Sequence, residues 1–196
     1  MQIDKISFND ISIFHPEEEF SIFHKLNFTR TVGGREWLRK FFSEPHESLD
    51  RILGTQKVIR TLMEHVRDWP DDISNGTVLV MDKFLDYTLD PVSEAPASFN
   101  NLFYKWLHSE DYSMIKYSMP HFADFFRGLR RIAELLEEVE LPVHTRFYID
   151  RILGLLKEAP LQKLAATEKG RKFSIRQNLY FAYHLRGRYK TNTLEL

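Results

Sequence analysis

The chain contains no cysteine. Disulfides, thiolate catalysis and cysteine-based zinc sites are therefore excluded, and the composition suits a reducing compartment. Long apolar runs are missing too. No window approaches the roughly 18 apolar residues of a membrane span. The N-terminal stretch MQIDKISFND carries Asp4 and Asp10 where a signal peptide would be apolar. Neither sign of charge dominates: 27 Lys and Arg against 28 Asp and Glu leave a net charge of −1. A balance of that kind supplies no whole-chain field for nucleic acid or membrane. The phosphate-binding spacings G-x-x-x-x-G-K-[ST] and G-x-G-x-x-G are absent, as is the G-x-S-x-G elbow of serine hydrolases. No strand-like alternation, internal repeat or low-complexity segment is present. These absences predict a soluble, cytoplasmic protein with no catalytic residue, cofactor site or membrane contact of its own.

The 196 residues that remain are 43% hydrophobic and 14% aromatic. That is enough to bury a core, in one large domain or two small ones. The periodicity predicts an all-α fold of long antiparallel helices, with Ser12-Ile13-Phe14 as a short strand or extended arm. His15-Pro16-Glu17-Glu18-Glu19 reads as a helix start, because proline suits the first turn and acids favour the positive end of the helix dipole. That helix is expected to reach about Asn27. Further helices are expected over 35–42, 49–67, 77–87, 99–108 and 147–157, and from Ser174 to the end. Ser109 with Glu110 and Asp111 reads as a cap and first turn. The helix that follows carries Phe122, Phe125, Phe126, Leu129, Ile132, Ala133, Leu136 and Val139 at helical spacing over about five turns, and Pro120 predicts a kink or break in it. Two prolines within Asp90–Pro96 mark the best internal boundary. The chain is accordingly divided into 1–90 and 91–196.

Candidate sites are few. The eight histidines are scattered, and no two stand three or four residues apart as in a helical metal site. No metal ligand set is expected. Gly33 and Gly34 read as a sharp, closely packed helix junction in preference to an anion-binding turn. Charge is uneven along the chain. Residues 161–196 hold eight Lys or Arg against Glu168 and Glu195, a net +6, so the first 160 residues carry −7. Arg171, Lys172, Arg176, Arg186 and Arg188 are the candidate polyanion contacts. The plainer reading is an amphipathic helix with aromatic residues inside and cations outside. The last helix reaches its final residue without a glycine cap, which leads us to expect a fragment of a longer protein.

One stretch is more specific. Asn9-Asp10-Ile11-Ser12-Ile13-Phe14 is followed by Leu26-Asn27-Phe28-Thr29-Arg30-Thr31-Val32-Gly33-Gly34-Arg35-Glu36-Trp37-Leu38-Arg39 and then Pro45. This resembles the start of the core, or lever, domain of the MutS family of DNA mismatch-repair ATPases. Gly34 falls on the family glycine of the T-x-T-x-x-G-x-x-L skeleton, and Arg35 on the neighbouring basic position. The resemblance covers residues 9 to about 66. It implies structural roles at a helix junction for Thr29, Thr31, Gly33, Gly34 and Arg35. It further implies that the parent protein binds ATP and Mg, binds duplex or branched DNA, and pairs as a homodimer through an ATPase domain absent from this sequence. Phe14-His15-Pro16-Glu17 does not match the N-terminal Phe-x-Glu wedge of the family's mismatch sensors. A helical scaffold or adaptor that binds a protein partner is the alternative.

Overall fold

A computed structural model describes residues 12–15, 18–92 and 98–192, with the backbone alone for 18, 98–100 and 188–192. Among these, every regular element is helical. A 3-10 turn over Glu18–Phe20 is followed by α1 (Ile22–Leu26), α2 (Val32–Ser43), α3 (Leu49–Glu64), α4 (Asn75–Asp86), α5 (Ser98–Leu107), α6 (Ser109–Leu136), α7 (Val143–Leu156), α8 (Ala159–Ala165) and α9 (Ile175–Asn192). The all-α expectation holds.

The chain divides into two compact units, Met1–Met63 and Glu64–Leu196. The sequence boundary at 90/91 lies well inside the second. The reason is α4, whose main neighbour is α6. Phe84 of α4 is fully buried and meets the Phe122 ring edge-on at 5.3 Å. The proline-rich connection separates two helices without separating their cores, and 93–97 lie outside the described residues.

In the first unit, of the strand or extended arm expected at Ser12-Ile13-Phe14, the strand is not formed. Ser12 has a left-handed backbone, φ 49°. Its carbonyl and that of Ile13 instead accept the first N–H groups of α1. The helix expected to run from Pro16 to Asn27 is interrupted at Ser21, whose hydroxyl caps α1 by accepting the His24 N–H at 3.0 Å. Phe23 is buried among Phe14 and Phe42, with the Arg39 guanidinium 5.7 Å from its ring centre. Beyond this cluster the unit buries little. No residue of α2 is buried, and of α3 only Thr61.

The second unit is organised around α6. At 28 residues it spans about 42 Å, and it packs against α4, α5, α7, α8 and α9. The predicted stripe is its core face: Phe122, Phe126, Ala133 and Leu136 are buried, together with Ile115 and Met119. Leu161, Leu164, Leu179, Phe181 and Leu185 complete the core from α8 and α9. Each such side chain contributes about 1.5–3 kcal/mol on burial. Of the kink or break expected at Pro120, the break does not occur, and the helix runs through the proline. Its missing N–H removes one backbone bond, but Met119 and Phe122 on either side are buried and hold the helical path. The short α8, unforeseen in sequence, places Pro160 in its first turn, where no backbone donor is needed.

Candidate functional site

The junction ahead of α2 is built by the residues the sequence singled out. Thr31 has an extended backbone, and its hydroxyl accepts the Gly34 N–H at 3.0 Å. That satisfies one of the free donors of the first turn. The Thr29 hydroxyl donates to the Asn27 side-chain oxygen at 2.6 Å, fixing the preceding turn. The two glycines differ. A Cβ at Gly34 would stand 3.0 Å from the Thr31 hydroxyl and 3.5 Å from the Thr29 Cβ, whereas a Cβ at Gly33 would meet nothing within 4 Å. The close approach expected between two helices is therefore between Gly34 and the side chains of its cap, Thr31, and of Thr29 in the preceding turn. Arg35 continues the turn, with its backbone N–H on the Thr31 carbonyl and its side chain exposed.

The basic candidates are not one patch. Arg171, Lys172 and Arg176 are exposed along the connection into α9 and on its first turn. Gly170 turns the chain there with φ +78°. Ser174 and Gln177 then cap α9 reciprocally, at 3.0 and 3.3 Å. Arg186 is elsewhere in role. Its guanidinium donates to the carbonyls of Phe84 (3.2 Å) and Tyr87 at the C-terminal end of α4, and lies over the Phe84 ring. Burial draws its pKa down, while Asp111 and Tyr104 act in the opposite sense. The charge proposed for an external polyanion is spent inside the fold. The side chain of Arg188 lies outside the described residues.

Two polar clusters escaped the sequence reading. In the first, Asp72, 5% exposed, accepts Arg127 Nε at 2.8 Å and Arg131 Nη1 at 3.1 Å. Arg127 also donates to Asp124 and to the Thr167 carbonyl, which ties the 65–74 loop to α6 and to the end of α8. A Cβ on Gly128 would lie 2.6 Å from Ile73 Cγ1, so the loop seats directly on the α6 backbone. In the second cluster, His108 Nδ1 lies 2.6 Å from Asp90 Oδ2. The Asp111 carboxylate accepts the Asp90 N–H at 2.9 Å and the Tyr87 hydroxyl at 3.3 Å. Tyr104 stacks on His108 and donates to the Asp90 carbonyl. Burial, then Asp111 and Asp90, push the Tyr104 hydroxyl up to about 12. The His108 and Asp111 pair, three residues apart across the α5–α6 break, was the available signal. A search for paired histidines passes over it.

Comparison with protein families, with curated proteins and with solved structures finds no match.

Proposed function

We propose that this chain is the helical core and lever portion of a MutS-like DNA-repair ATPase, coupling the nucleotide state of a separate ATPase domain to DNA binding. The observation that carries the reading is the α2 junction. Pattern positions Thr31 and Gly34 meet as hydroxyl and amide at 3.0 Å, and a side chain at 34 would crowd the hydroxyl. The reading is supported by two fixed positions of that pattern depending on one another at the start of a helix. The long α6 suits a mechanical role, since a helix packed along its length moves as a rigid element. ATP and Mg would belong to the ATPase domain, and a homodimer would form there.

The test is the mass of the endogenous protein, by immunoblot and intact mass spectrometry. A species much larger than 23.4 kDa that carries a Walker A loop is expected. A species at that mass would sink the ATPase assignment.

A second reading, a partner-binding scaffold, is favoured by the apolar residues that the first unit leaves exposed. Trp37 on α2 is 70% exposed, and Leu49 and Met63 on α3 are each 68% exposed. Tight association with a protein and no DNA binding would select it.

A further inference from the structure

We propose that Asp90, His108 and Asp111 form a binding site for a divalent first-row cation of the Mn2+ or Zn2+ type. The three ligand atoms lie within 4.8 Å of one another and come from three places in the chain: the connection after α4, the N-cap position before α6, and the first turn of α6. One imidazole nitrogen with two carboxylate oxygens is a mixed donor set that suits these ions. The imidazole separates the cluster from an ordinary patch of surface acids. Ligands held about 2.0–2.2 Å from a common ion stand roughly 3–4 Å apart. The ion would therefore replace the direct 2.6 Å contact between Asp90 and His108, leaving the imidazole proton on Nε2.

Two of the three ligands, His108 and Asp111, are already held by neighbours, as ligands of bound metals are. The Tyr104 ring lies 4.8 Å from that of His108. The Tyr87 hydroxyl holds one Asp111 oxygen, and the Asp90 N–H holds the other. The cation next to these acids, Arg186, is committed to the carbonyls of Phe84 and Tyr87. The positive end of the α6 dipole opposes a cation here, and Glu110 in the same turn offsets it. Asp90 is exposed, so the site is open to solvent and water can complete the coordination.

The experiment is a titration of the tag-free chain with Mn2+ alone, the free ion being followed by electron paramagnetic resonance, with Zn2+ then added as competitor. Uptake of one equivalent is expected, weakened at least about tenfold in both Asp90→Asn and His108→Ala, and displaced by Zn2+. Circular dichroism of each variant confirms that it is folded, and the exposed Asp90 supplies the safer substitution. Three outcomes would overturn the site: no uptake below roughly 1 mM, the weak end of protein cation sites; uptake unchanged in both variants; or sensitivity to His108 alone, which would leave a lone surface histidine.

Discussion

The Asp72 carboxylate accepts Arg127 Nε at 2.8 Å, joining residues 55 apart in the chain. Asp72 is buried, and its side chain is also held by Arg131. Burial raises its pKa, but the hydrogen bonds from Arg127 and Arg131 outweigh that and hold it below its ordinary 3.8. A carboxylate with a depressed folded pKa contributes stability that is fully present above the unfolded value and lost as pH falls through the folded one. The protein should therefore lose stability below about pH 4. Asp72→Asn should flatten that dependence, because no carboxylate is left to protonate. At neutral pH the same variant should cost on the order of 2 kcal/mol, since it weakens a charge-assisted hydrogen bond and leaves Asp124 as the one carboxylate paired with Arg127. Urea unfolding at a series of pH values reads both effects. A wild-type profile unchanged by the substitution would remove the ion pair from the account.

Gly128 faces Ile73 across the same contact. Gly128→Ala would place a methyl group 2.6 Å from Ile73 Cγ1. Overpacking of this kind costs about 1–3 kcal/mol. Ile73→Ala in the same background should recover part of the loss, since it removes the clashing atom. A double-mutant cycle on urea midpoints measures the coupling. Simple additivity would mean that the loop does not seat on α6 at this point.

The glycines ahead of α2 should respond in opposite ways. Gly33→Ala meets no atom within 4 Å and should stabilise by up to about 1 kcal/mol through helix propensity. Gly34→Ala crowds the Thr31 hydroxyl at 3.0 Å and should lose part of the cap. Thr31→Ala should cost about 1 kcal/mol, and Gly34→Ala should add little once that hydroxyl is gone. Helicity and unfolding midpoints of the four variants decide it; equal effects of the two alanines would refute the capping account.

Arg186 and the exposed cations separate stability from binding. Arg186→Ala should lower the melting temperature, because it strips two carbonyls at the end of α4, at a cost on the order of 2 kcal/mol. Charge reversal at Arg171, Lys172 and Arg176 should leave the melting temperature unchanged. Under the proposed DNA role, it should also weaken duplex-DNA binding and make it less salt-sensitive, the log–log slope falling by about 0.9 for each phosphate no longer neutralised. Binding and slope that survive the triple reversal would place any DNA contact elsewhere.

How far the sequence could be read follows from what each feature depends on. Local periodicity and capping chemistry carried the helices. Of the predicted stripe, Phe122, Phe126, Ala133 and Leu136 are buried, Phe125, Leu129 and Ile132 are half-buried, and Val139 lies past the end of α6; Thr31 caps as its position suggested. Features set by distant residues were hidden. Pro120 is a helix breaker in isolation, but packing on either side overrides it. Arg186 reads as a surface cation until the end of α4, about a hundred residues earlier, is brought beneath it. Asp72 sits in an acidic loop motif, and nothing local marks it as the partner of Arg127. Asp90 and His108 are 18 residues apart, and the fold alone closes that gap.

The link from Arg186 to Phe84 spans 102 residues, and it has a kinetic consequence. Helix α4 leaves the ribosome early, yet its last carbonyls, and the Arg186 contact over the Phe84 ring, wait for α9 to be made. Leu179, Phe181, Ala182 and Leu185 reach the core from that same late helix. Chains grow at about 5–20 residues per second, and pairings distant in sequence form slowly. For several seconds of synthesis, the nascent second unit therefore presents an open apolar face that α9 will later cover. During that interval a holding chaperone has most to protect.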